Sequence, residues 1–367
     1  MLNLQNKKSA FFKKLHNALG LDKIQKNIEL IERRQFLHIF AKNAQNPTKN
    51  DFKNNHFVLF DYAHYTHLGY HNLGDFIQTI ATKAAIEKKF PQSNFEHASS
   101  EGLIFKQGGG IVIMQGYFAL SHSFLPPPSL LSVFIGTHFN LAAMNFIQFF
   151  HAHFPQYFKN KDIGCRDLHT LEFCQKMGFR AYLSRCLTLT LDRREKNAGQ
   201  DKIFFVNVGE DLLEFIPENL RKKAEIINQK SIKIEHEPSY TQEHFFQKTH
   251  NLLKRYQNEA KLIITTGLHI ASPCTAMGIP VVLIAENEEQ RGRFSALEGI
   301  IRIHTKAELE KNAVDFAPKV PDIEDLKEAM LENLKRSVAK ERGEEVDAQR
   351  LEKLREFIAS YRASRFH

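Results

Sequence analysis

From residue 56 onward the chain alternates short apolar runs with stretches in which apolar positions recur every three or four residues. Such runs read as strands buried on both faces and the longer spacing as amphipathic helices, so the pattern predicts mostly parallel sheets covered by helices. Strands are expected at "HFVLFDY" (56–62), "GIVIMQGYF" (110–118), "SVFIGTHF" (132–139) and "AYLSRCLTLTL" (181–191), with helices over 75–90 and 144–154. The stretch "DRREKNAGQD" (192–201) is polar, charged and contains Gly, and reads as a linker. The alternation then resumes with "KIFFVNVG" (202–209), "SIKIEHE" (231–237), a helix over 241–257, "KLIITTG" (261–267), a helix from about 269, and "PVVLIA" (280–285). The expected fold class is α/β, two Rossmann-like domains (56–191 and 202–321) facing a cleft, with helices added at 1–55 and 322–367. In such folds ligands bind at the carboxyl ends of the strands.

Composition narrows the class. A chain of 367 residues exceeds one ordinary core, and 43% apolar residues suffice for two. No run approaches the roughly 20 apolar residues that cross a bilayer, and the first residues lack a continuous apolar segment before a cleavage site, so a cytoplasmic chain is expected. Cys165, Cys174, Cys186 and Cys274 have neither CxxC pairing nor metal-ligand rhythm, and read as free thiols. His64, His67 and His71 would share a face only in a helix, which Gly69 opposes, so no metal is expected.

Charge is uneven. Residues 1–55 hold eleven Lys and Arg against four acids, seven of the eight excess positive charges. Phe11, Phe12, Leu15, Leu19, Ile24, Ile28, Ile31, Leu37 and Phe40 recur there at helical spacing. Two readings follow: helices packed on the protein's own core, or a basic amphipathic segment in peripheral contact with the inner face of a membrane. No recognisable binding fold or aromatic platform points to nucleic acid.

Three segments share one anatomy: an apolar strand, a polar or small-residue turn, then the first turn of a helix, where unpaired N–H groups attract anions. In "YHNLGD" (70–75), Gly74 admits close backbone approach, Asn72 tolerates unusual dihedrals and Asp75 is a candidate cap. In "GCRDLHT" (164–170), Asp167 stands where an N-cap belongs. Arg166 beside it is electrostatically misplaced at a positive helix start by a few tenths to about 1 kcal/mol, so either a bound anion or a salt bridge across domains is expected to compensate. In "TTGLHIASPCTAMGIPVVLI" (265–284), Gly267 precedes His269 at a helix start, a position expected to keep the imidazole neutral near pH 7.

Four stretches, "NLGD", "MQGYF" with the Pro-rich "SFLPPPSLLSVFIGTHF", "IGCRDLHTLEFCQKMGFRAYLSRCLTLTL" and "IITTGLHIASPCTAMGIPVVLI", occur in an order that resembles the polysaccharide pyruvyl transferase family over roughly residues 56–300. The resemblance implies two Rossmann-like domains similar to the B-type glycosyltransferase architecture. It also implies transfer of a pyruvyl group from phosphoenolpyruvate, a co-substrate with no further cofactor, to a sugar as a ketal. The acceptor would be a cell-surface glycan or a lipid-linked saccharide precursor. On that basis Arg166, His269 and Asp75 are the candidate catalytic residues, and Asn72, Gly74, His71, Gly267, Arg291 and Arg293 the candidate substrate contacts. This chain departs from the family at Gly267, where relatives commonly carry Arg, and the basic residue after the last strand corresponds to Arg291 or Arg293. Two alternatives stay open. A B-type glycosyltransferase using a nucleotide sugar shares the fold, and a degenerate member would bind glycan or membrane without turnover.

Overall fold

The computed structural model describes residues 21–45, 52, 54–62, 69–118, 123–195, 199–230, 232–239 and 241–363. The proposed amphipathic segment before residue 21, and His64 and His67, lie outside them. Helix α1 (Leu21–Gln45) seats Phe36 and Phe40 in the core, against Phe146 and Phe150. The first unit then runs β1 (His56–Asp61), β2 (Tyr70–His71), α2 (Leu73–Lys89), β3 (Asn94–Ser99), β4 (Ile111–Ile113), β5 (Gly116–Phe118), β6 (Leu131–Phe139), α3 (Leu141–His153), β7 (Asp162–Cys165), α4 (Leu168–Lys176) and β8 (Arg180–Leu183). The second comprises β9 (Lys202–Val206), β10 (Ala224–Ile227), β11 (Ile232–Lys233), α5 (Gln242–Glu259), β12 (Ala260–Thr265), α6 (Leu268–Ala276), β13 (Val281–Ala285), α7 (Glu288–Arg293) and β14 (Ile303–Thr305). Helices α8 (Glu324–Glu341) and α9 (Ala348–Ser360) close the chain, and several single turns complete the connections.

Both main sheets are parallel, with orders β3-β1-β4-β6-β7-β8, β5 also pairing with β6, and β10-β9-β12-β13-β14. This is the doubly wound class expected from the alternation. One apolar cluster joins Phe57, Leu59 and Ile113 of the first sheet to Val206, Ile263 and Leu283 of the second and to Leu326 and Leu334 of α8. The last helices return to the first unit, α8 lying on α2 and β6 and α9 on β8.

Several local readings need correction. Of 181–191, only the first residues are strand; Leu187–Thr190 turn into a buried 3-10 helix, with Thr188 bonding Ser272 Oγ at 2.6 Å across the units. The run 110–118 breaks at Met114–Gln115 into β4 and β5. Within 231–237 only β11 is extended, and it pairs antiparallel with β2 of the first unit. Strands β3, β10 and β14 are too polar or too short to stand out from loops by periodicity.

Candidate functional site

In each sheet the first strand lies inside the second, so chain connections leave β1/β4 and β9/β12 in opposite directions. Such switch points open a crevice beyond the carboxyl ends of the strands. At the β9/β12 crevice a cavity of ≈ 110 Å³ is walled by Asn207, Thr266, Gly267, His269 and Arg293 on one side and by Asn72, Gly74 and Arg166 on the other.

The three helix starts converge here. Asn72, rather than Asp75, caps α2, its Oδ1 accepting from Gly74 N at 3.0 Å. A Cβ on Gly74 would lie 3.1 Å from His269 Cβ and 3.3 Å from His269 Nδ1, so glycine permits the close approach of the units. Gly267 is the N-cap of α6 and supplies no side chain, so the amides of Leu268 and His269 have no side-chain cap, while Ile270 N bonds Gly267 O at 3.3 Å. A Cβ there would meet the tip of Ile270 at 2.2 Å.

Arg166 is 1% exposed. Its Nε donates to Asp167 Oδ2 at 3.3 Å and its Nη1 to His269 Nε2 at 3.5 Å, while Nη2 is buried without a partner. Asp167 does cap α4, accepting from Thr170 N at 3.0 Å, and also accepts from His138 Nδ1 at 2.6 Å. Against the upward push of burial, the bond from His138 and the charge of Arg166 hold Asp167 far below the ordinary carboxylate range. Burial, with Arg166 adding to it, lowers His138 to about 4, so it meets Asp167 as a neutral ring with Nδ1 protonated. His269 is likewise neutral at pH 7: burial is the main cause, then Arg166 and Arg293. The expected neutrality therefore holds, with desolvation ahead of any helix dipole as its cause.

Arg293 faces the cavity with its guanidinium 5.3 Å from the Tyr117 ring and its Nε buried without a partner. Arg291, two residues earlier, points elsewhere and donates to Ile303 O at 3.1 Å; as a candidate contact it is corrected. His71 is corrected as well. It is fully buried against Phe245 (4.1 Å between centroids) and Phe76, with neither ring nitrogen partnered, and burial lowers it to about 4. Asp75 stands outside the cavity wall, taking a bond from Gln78 Nε2 at 3.2 Å. Burial raises it to about 7, opposed by the charges of Arg166 and Arg293 and assisted by Glu101.

Sequence reasoning passed over Gln229, which joins the units: its carbonyl accepts from Leu73 N at 2.9 Å, its Nε2 reaches His269 O at 3.5 Å, and its Oε1 accepts from Tyr256. Asn207, in the left-handed region at φ 57°, accepts from Gln229 N at 2.9 Å. Ser295 Oγ of the second unit accepts from Leu168 N at 2.9 Å. A single Asn following an apolar run, as at 207, is the one signal that was open to reading. A larger cavity, ≈ 440 Å³, opens at the amino ends of β7 and β8. There Asp162 accepts from Arg355 at 2.8 Å and pairs with Arg180 and Lys340, and among the described residues no lining side chain has a buried polar atom without a partner.

No family model matches the chain, and no curated protein matches it. Among solved structures, one titled "Crystal Structure Analysis of the Glycotransferase of kitacinnamycin" is similar at 11% identity and a TM-score of 0.30, over 83% of this chain and 95% of that one. So distant a likeness carries no chemistry to this chain, and the architecture rests on its own sheets. Among the described residues no helix is long and apolar enough to cross a membrane.

Proposed function

We propose that this chain is a glycan-modifying transferase that moves the pyruvyl group of phosphoenolpyruvate onto two hydroxyls of a sugar, in a cell-surface glycan or its precursor. The observation that carries the reading is the pair of guanidiniums, Arg166 and Arg293, facing one cavity with Nη2 and Nε buried and unpartnered. Two like charges in a closed space repel, and unsatisfied buried donors cost about 1–3 kcal/mol each, so the site favours a ligand with more than one anionic group. The uncapped amides of Leu268 and His269 add to that preference.

In this reading Arg166 and Arg293 grip phosphate and carboxylate. Protonation of the methylene carbon makes C2 electrophilic, and one sugar oxygen adds there as its proton passes to a base. Phosphate then departs with its C–O electron pair, and the second oxygen adds to the resulting cation, its proton leaving with phosphate. Asp75 stands outside the cavity wall, so in this reading the proton is drawn from solvent rather than from its carboxyl. His269 is assigned the hydroxyl proton: burial is the larger cause of its low basicity, and a bound dianion offsets the second, the two guanidiniums.

The nucleotide-sugar reading keeps one feature in its favour, the helix start of α6 as a diphosphate site. Incubation with phosphoenolpyruvate or with nucleotide sugars, in the presence of a crude glycan acceptor, separates the two by phosphate or nucleotide release. Phosphate release dependent on acceptor is expected; nucleotide release alone would overturn the proposal. Replacing His269 by Ala with less than about a threefold loss in kcat/KM would remove it from the chemistry.

A further inference from the structure

We infer that the outward face of α1 docks on an anionic lipid surface. No described side chain between residues 23 and 35 is buried, although the helix continues into the core at Phe36 and Phe40. Ile24, Ile28 and Ile31 are 52%, 44% and 55% exposed. With Leu30 they make four of the ten large apolar side chains exposed among the described residues, which concentrates apolar surface on this one helix. At 100° per residue the three isoleucines fall within an arc of about 60°, and Phe36 and Phe40 point roughly 120–160° away from Ile24. The stripe therefore faces away from the core that anchors the helix.

Charge selects the occupant. Residues 1–34 hold eight Lys and Arg and three acids; at 100° per residue the exposed Lys42 lies on the stripe, with Arg34 beyond one edge and Glu32 beyond the other. A second copy of the chain would bring two such basic segments together, which like-charge repulsion opposes. Three half-exposed isoleucines bury too little area to hold a neutral bilayer alone, so attraction to anionic headgroups is needed as well. Phe11, Phe12, Leu15 and Leu19 continue the apolar spacing in sequence, together with four lysines and no acid before residue 21.

The chain contains no tryptophan, so Ile28→Trp in the full-length protein is a single-site reporter. Vesicles of phosphatidylglycerol and phosphatidylcholine are expected to shift its emission to the blue. Phosphatidylcholine alone is expected to bind about tenfold less, with raised salt releasing the protein from the anionic vesicles. The double variant Ile24→Asp, Ile31→Asp is expected to stay in the supernatant with an unchanged melting temperature. Absence of the shift, vesicle binding by the double variant equal to the parent's, or a dimer in sedimentation velocity that this variant dissolves would each overturn the inference.

Discussion

Two arginines nineteen residues apart, Arg166 and Arg185, are both 1% exposed, and they are buried for opposite reasons. Arg185 accepts a left-handed backbone (φ 59°) and spends its guanidinium on five carbonyls, at Ala296, Glu298, Ile358, Ala359 and Tyr361. It ties the end of the chain to the second unit, and no N–H remains for a ligand. Arg166 has one carboxylate, one long contact to a neutral imidazole and one idle nitrogen. Burial alone does not distinguish a structural cation from a binding one; the count of unsatisfied donors does.

The comparison breaks most visibly at Arg185. Replacement by Met strands five carbonyls and frees α9, and a loss of about 3–5 kcal/mol in denaturant unfolding is expected. Arg166→Met is expected to cost less stability than Arg185→Met, since the buried Asp167 keeps its bonds from His138 and Thr170. It should still lower kcat/KM for acceptor-dependent phosphate release about 100-fold, or ~3 kcal/mol. Equal stability losses at the two positions would erase the contrast.

A smaller effect tests the field around Arg166. Asp75 is raised from 3.8 to about 7, so the native state keeps a proton that the unfolded chain has released. Stability from this group is present at low pH and falls as pH rises through about 4 to 7. Asp75 retains some solvent contact, which discounts the full shift. Asp75→Asn is therefore expected to stabilise by about 1–2 kcal/mol at pH 8 and by nothing at pH 4, in melts run at both. The smallest change is expected from Gly267→Arg. Its Cβ displaces the flexible tip of Ile270, costing about 1 kcal/mol, and the added cation tightens phosphoenolpyruvate binding in calorimetry by less than about tenfold.

Local roles in the candidate site are partly legible in the sequence, which suggests Asp75 as the cap of α2, where the cap is Asn72, and marks the cap of α4 correctly. Asp167 as the cap of α4 follows from a side chain and an amide three residues on. Reading from sequence failed where position depends on rotation about an element. Arg291 and Arg293 are two apart on one short helix, hence about 200° apart, and composition cannot say which faces the cleft. His71 and Tyr70 alternate on β2, and only the pairing with β11 decided that the imidazole goes inside. Gln229 carried no signal, because its partners come from α2 and α6, far away along the chain.

Sequence alone determined the two α/β units, the strand–turn–helix segments and the basic, apolar-striped start, because periodicity and capping act over a few residues. Tertiary structure decided the rest: the return of α8 to the first unit, the meeting of Gly74 with His269, and the idle nitrogens of Arg166 and Arg293. Those depend on strand order and on closure between distant segments, and a buried donor is known to lack a partner only when all its neighbours are in place.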